Sequence, residues 1–187
     1  LIEVKAAINC LIDNGISKKN ITALHCTTEY PTPLNEVNLN SMIAIREKIG
    51  VNVGYSDHTA GINISVAAVA LGALVIEKHI TLNRNLSGPD HKASMEPKDF
   101  IKMVKAIREI EVAMGSSKKE PTKSEKNNLL IARKSIVASK KILKGEIYTS
   151  NNLTTKRPGN GISPMKFKNI LGKKAKKNYE MDDLILN

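Results

Sequence analysis

The sequence predicts an α/β protein in two parts: strand–helix units built on a parallel sheet, then a smaller β-rich domain. Three observations predict it. Apolar runs that read as strands alternate with helical patterns every ~20–30 residues, the pattern of parallel β/α units with right-handed crossovers. A polar run containing proline, GSSKKEPTKSEKNN (115–128), interrupts that alternation. Beyond it the charge changes: positions 1–117 hold 12 Lys and Arg against 12 Asp and Glu, whereas 118–187 hold 17 against 6, so the whole excess of +11 lies in the tail.

The elements follow in order. LIEVKAAINCLIDNG (1–15) places Leu1, Val4, Ile8, Leu11 and Ile12 at helical spacing. The chain therefore opens inside a helix, and we expect an N-terminal part of the protein to precede it. ITALHC (21–26), VNVGYS (51–56) and ALVIEKH (73–79) are the expected strands, with helices between them at 39–49 and 62–71. A last helix, 97–114, puts Phe100, Met103, Val104, Ile107 and Ile110 on one buried face and stops at Gly115. The expected boundaries are a first domain over 1–115, a linker over 116–127 and a second domain over 128–187. In the tail, SIVAS, EIYTS and NLTTK are short strand-like pieces separated by LKG and RPGNG turns.

Composition narrows the class. A chain of 187 residues that is 41% hydrophobic and 25% charged buries a real core and is not a disordered chain. Two cysteines, Cys10 and Cys26, are too few for a disulfide framework, and a reducing cytoplasm is the default location. The longest apolar run, 64–76, is interrupted by Gly72 and falls short of the ~20 residues a membrane span needs. The tail lysines Lys173, Lys174, Lys176 and Lys177 suit phosphates, but only Tyr148, Phe167 and Tyr179 follow the linker as aromatic platforms. A solvated basic face is the better reading, with neither nucleic acid nor membrane as partner.

The carboxyl ends of parallel strands share one edge, and sites are built there. VGYSDHT (53–59) lies at such an end and raises three readings: a hydrolytic triad, half of a metal site, or a turn. Successive strand residues face opposite ways, so Ser56 and His58 share a side while Asp57 points away, which makes a contiguous triad geometrically poor. His79, in IEKHIT, ends the next strand. Strands ~4.8 Å apart let two imidazoles converge on one ion, and a site with only two protein ligands keeps positions open for substrate oxygens. Glu77 orients a ligand there or is a solvated charge. CTTEYP (26–31) adds hydroxyls at Thr27, Thr28 and Tyr30, and the Gly88–Pro89 turn of LSGPDHKAS (86–94) presents Asp90 and His91. Taken alone, each of these two segments reads as a loop or turn.

LHCTTEYPTP, VGYSDHT, IEKHIT, SGPDHKAS, ARKSIVA and KRPGNGISP together resemble the bacterial sialic acid synthase family, in family order over nearly the whole chain. The resemblance implies the C-terminal part of a (β/α)8 TIM barrel followed by a small antifreeze-like (SAF, β-clip) domain. It implies condensation of phosphoenolpyruvate with N-acetylmannosamine to N-acetylneuraminate and phosphate: C3 of the enol attacks the open-chain aldehyde, water adds at C2, and phosphate leaves. The same blocks resemble synthases of legionaminic acid, which use a 2,4-diacetamido-2,4,6-trideoxymannose. By this resemblance His58 and His79 hold a divalent metal, Mn²⁺ with Mg²⁺ or Co²⁺ as alternatives. Thr28 and Ser56 bind the enolpyruvate, Tyr30 and Asp90 hold the amino sugar, and Arg157 reaches its N-acetyl group across a domain-swapped homodimer. Some family members carry Asn where Thr28 stands. The first half of the barrel is absent from these residues, and the fragment alone is expected to be inactive or to serve as a binding module.

Overall fold

Three strands run parallel through the first unit in the order β1–β2–β3: β1 (Thr22–Cys26), β2 (Asn52–Asp57) and β3 (Ile76–Lys78). They form an open sheet. The computed structural model describes residues 1–186; position 187, the last of the expected second domain, lies outside the described residues. The chain divides into a unit over Leu1–Ser116 and another from Ser117 onward.

Helices α1 (Ile2–Asp13), α2 (Asn40–Ile49), α3 (Asn63–Ala70) and α4 (Pro97–Met114) accompany the sheet. α2 ends where Gly50 enters the left-handed region at φ 75 and donates its N–H to the Arg46 carbonyl, a turn that feeds directly into β2. Met42, Ile45 and Ile49 of α2 pack with Val51, Val53, Tyr55, Ile8 and Ala68 into one core. Each fully buried aliphatic chain there contributes about 1.5–3 kcal/mol. Gly54 lets β3 approach: a Cβ at this position would stand 2.6 Å from the Val75 carbonyl oxygen.

The third strand is shorter than 73–79. Leu74 and Val75 exchange backbone bonds with β2, Leu74 N–H donating to Val53 O and Tyr55 N–H to Val75 O, but they lie on the sheet edge with 69% and 42% of their surface exposed. α4 also differs from expectation. Only Met103 and Ile107 are buried, packed with Met95 against Ile62, Val66 and Val69, while Phe100 is exposed and Val104 and Ile110 are half-buried. One ridge of α4 meets α3, and the flanking positions find no second layer.

The second unit pairs β4 (Ser135–Ala138) antiparallel with β5 (Leu153–Lys156). EIYTS is not a strand; Ile147 makes a single bridge to Lys174, as Ile142 does to Tyr179. Ile136, Ile142, Tyr179 and Ile185 are fully buried at its centre. The expected linker contains structure: Thr122 and Glu125 form a reciprocal capping box on α5 (Lys123–Lys126), followed by α6 (Leu129–Ala132). A last short helix, α7, covers Phe167–Ile170. Among the described residues no helix is long and apolar enough to cross a membrane.

Candidate active site

The tips of β2 and β3 set the geometry. Parallel partners share a face, and the register pairs Ser56 with Glu77 and Asp57 with Lys78, so His58 and His79 come next on each strand. On the first face Ser56 Oγ donates to Glu77 Oε1 at 2.7 Å and lies 3.4 Å from His58 Nε2. Asp57 turns the other way. Its Oδ1 accepts from the backbone N–H and hydroxyl of Thr59 at 2.8 and 2.7 Å, and its Oδ2 accepts from Ser65 Oγ at 2.5 Å and meets Lys78 Nζ at 3.0 Å. The alternation expected from the sequence holds, and no Ser–His–Asp triad forms.

His58 is 8% exposed and its ring is tied down. Nδ1 stands 2.7 Å from the Thr27 carbonyl oxygen, which can only accept, so Nδ1 carries the proton and Nε2 presents its lone pair. That lone pair accepts from the Tyr30 hydroxyl at 2.9 Å. The Tyr30 ring stacks on His58 at 3.9 Å between centroids and lies 5.1 Å from His79, and the two imidazoles stand 5.4 Å apart, edge to face. Desolvation, then the charges of Cys26, Asp90 and Glu77, raise the Tyr30 phenol above its ordinary pKa, which keeps the donor protonated.

Asp90 follows the Gly88–Pro89 turn. Its Oδ2 is 3.9 Å from His79 Nδ1, beyond hydrogen-bond reach, and both side chains are solvent-accessible. A cleft of ≈ 460 Å³ opens beside them, lined among others by Tyr30, Lys78, Arg84, Lys92 and Met95; a second of ≈ 400 Å³ is lined by His79, Asp90 and His91. Thr28 is exposed on the loop after β1 with no hydrogen-bond partner among the described residues. Arg157 lies in the second unit, exposed, with its Nε donating to the Ala132 carbonyl at 3.0 Å. The structure thus brings Tyr30, Ser56, His58 and His79 together with Asp90 at their margin, and leaves Thr28 outside this cluster.

Among the described residues no group of three or more His, Cys, Asp or Glu side chains is set to hold a metal ion. The donor set that is present suits a metal nonetheless. A neutral imidazole with its lone pair fixed by a bond at the other nitrogen is the form that ligates, and His79 stands beside it. The sequence reading missed the Asp57–Lys78 pair, Arg84 at the cleft, and the Cys26 sulfur 3.8 Å from His58 Nδ1. The first had a signal: Asp57 and Lys78 each directly precede a strand-tip histidine.

Comparison with known proteins places both units in known families. Positions 1–119 match the model of the NeuB family and positions 133–187 that of the SAF domain. The chain belongs to the NeuB family. This NeuB chain is 57% identical over 183 residues to the N,N'-diacetyllegionaminic acid synthase of Campylobacter jejuni, which covers 98% of it and 55% of that protein. It is 42% identical to the human N-acetylneuraminate-9-phosphate synthase, over 89% of this chain and 47% of the human one. A solved N-acetylneuraminic acid synthetase from Leptospira borgpetersenii, in complex with citrate, superposes with a TM-score of 0.61 at 36% identity, over 68% of this chain and 44% of that one. The NeuB chain spans about half the length of the curated relatives it matches.

Proposed function

We propose that this chain supplies the metal- and sugar-facing edge of a nonulosonic acid synthase, which condenses phosphoenolpyruvate with an N-acetylated amino sugar and releases phosphate. The observation that carries the reading is the pair of imidazoles, His58 and His79, at consecutive parallel strand tips with their rings 5.4 Å apart. A divalent ion held by these two, Mn²⁺ before Mg²⁺ or Co²⁺, supplies Lewis-acid polarisation of the open-chain aldehyde.

The chain's own residues do the rest. His58 offers Nε2 once the Tyr30 hydroxyl gives way, and that hydroxyl is then available to the sugar. Asp90, exposed at the cleft margin, accepts from sugar hydroxyls. Ser56 has one proton and donates it to Glu77, so it serves the enolpyruvate carboxylate or phosphate only after rotating. Thr28 joins it from the loop. The new bond joins C3 of the enolpyruvate to the aldehyde carbon, water supplies the oxygen at C2, and the C2–phosphate linkage breaks to leave a keto acid and inorganic phosphate. Arg157 of one subunit completes the site of another in a domain-swapped homodimer.

The 57% likeness to a protein named for N,N'-diacetyllegionaminic acid supports the 2,4-diacetamido-2,4,6-trideoxymannose as substrate. The Leptospira likeness favours N-acetylmannosamine as the second reading. A coupled phosphate-release assay on the full-length enzyme with both sugars decides between them. We expect kcat/KM to favour the diacetamido sugar by at least about tenfold; a preference for N-acetylmannosamine overturns that choice of substrate.

A further inference from the structure

We propose that the buried Asp57–Lys78 pair is a positioning device that aims the imidazoles of His58 and His79. Each member directly precedes one histidine, on adjacent strands and in register with the other. Asp57 faces away from the cluster of Tyr30, Ser56 and the histidines, and Lys78, which also borders the neighbouring cleft, bonds to Asp57 and to the Thr59 carbonyl, so the pair reaches the two histidines through the backbone that carries them.

The pair is fully inside, with side-chain exposures of 5% for Lys78 and 0% for Asp57. Burying two charges is costly, and replacing such a pair by apolar groups is often neutral or stabilising, so stability alone does not account for it. The bonds around His58 point to what it does. Thr59, the residue after His58, gives its N–H and hydroxyl to Asp57 Oδ1, and its carbonyl accepts from Lys78 Nζ at 2.7 Å. Ser65 of α3 fixes Asp57 Oδ2 from the helix side. His58 is therefore bracketed by two residues tied to one ammonium group. Its own carbonyl accepts from the Thr32 N–H at 3.0 Å, and its ring reaches the Thr27 carbonyl only while the backbone stays there. Across the ladder Lys78 carries His79 with it, whose carbonyl accepts from the Met95 N–H at 2.8 Å. The pair pins the two strand tips at the level where the imidazoles leave them.

What the aimed rings hold rests on the proposed metal site; the aiming itself does not. The test uses the full-length protein with ¹⁵N-labelled histidine, without metal and then titrated with Mn²⁺. In the wild type His58 gives a protected Nδ1–H signal of a single tautomer. The double variant Asp57→Asn/Lys78→Met leaves no unpaired charge and retains the fold by circular dichroism. In it, exchange of that proton accelerates about tenfold or more, and the Kd for Mn²⁺ rises at least about tenfold. An unchanged exchange rate in the folded double variant overturns the proposal. Should the double variant not fold, Ser65→Ala removes one donor to Asp57 and is expected to accelerate exchange about threefold; no change there overturns it equally. A wild type that binds no Mn²⁺ while its exchange responds to the substitutions removes the metal reading and leaves the positioning role standing.

Discussion

The Tyr30 hydroxyl donates to Nε2 of His58 at 2.9 Å, and that nitrogen carries the lone pair the proposed metal takes. Phenol and metal therefore compete for one acceptor. Tyr30→Phe keeps the stacked ring and deletes the competitor. A hydrogen bond of about 1 kcal/mol net corresponds to roughly fivefold in affinity, so calorimetry is expected to give Mn²⁺ binding tighter by about that factor, with a raised KM for the sugar. Unchanged or weaker Mn²⁺ binding contradicts the competition.

Much of this site was legible because its information is local. Period-two alternation put Ser56 and His58 on one side of β2 and Asp57 on the other, and the expected strand ends at Cys26, Ser56 and His79 fall within one residue of the observed ones. What was not legible depends on register and on layers. Asp57 and Lys78 are 21 positions apart and meet only because Ser56 aligns with Glu77. Phe100 belongs to a helical stripe, but a stripe does not say how wide its partner is, and α3 covers only Met103 and Ile107. EIYTS has strand composition, yet it makes only an isolated bridge, Ile147 opposite Lys174, closed by the Tyr148 N–H to Lys173 O and the Ala175 N–H to Glu146 O, after the turn at Gly145. Thr28 is exposed on the loop after β1, where the strand pattern does not set the direction of a side chain.

Arg157 is anchored at one end and displayed at the other. Its Nε bonds the Ala132 carbonyl, and the turn behind it is closed by the Gly159 N–H to Leu130 O and by Ser135 Oγ to Pro158 O. Arg157→Ala is therefore expected to leave melting of the second unit within about 0.5 kcal/mol and to raise the KM for the sugar about tenfold or more, the loss of a forked guanidinium contact. Mixing Arg157→Ala with His58→Ala protein is expected to restore part of the activity, because a heterodimer then holds one intact site. Proven subunit exchange without recovery rejects completion of the site by a second subunit.

Tyr55 is fully buried and its hydroxyl has no hydrogen-bond partner among the described residues. Removing that oxygen by Tyr55→Phe is expected to stabilise the first unit by about 1 kcal/mol in urea melts near neutral pH. Desolvation, then the Asp57 and Cys26 charges, push the phenol up to about 12. An unfolded tyrosine titrates near 10. The folded chain thus keeps a proton that the unfolded chain gives up, so this contribution is complete below pH ~10 and is lost as pH rises toward ~12. The Phe variant is expected to lose less stability than the wild type across that window; parallel losses contradict the assignment.

The most direct measurement is Mn²⁺ binding and phosphate release by the full-length protein and its His58→Ala and His79→Ala variants. The wild type is expected to bind one ion per subunit, and each variant to bind it at least about 100-fold more weakly. Chelator is expected to stop phosphate release from phosphoenolpyruvate, and added Mn²⁺ to restore it only in the wild type. Turnover at the wild-type rate by metal-stripped His58→Ala protein would contradict the metal site.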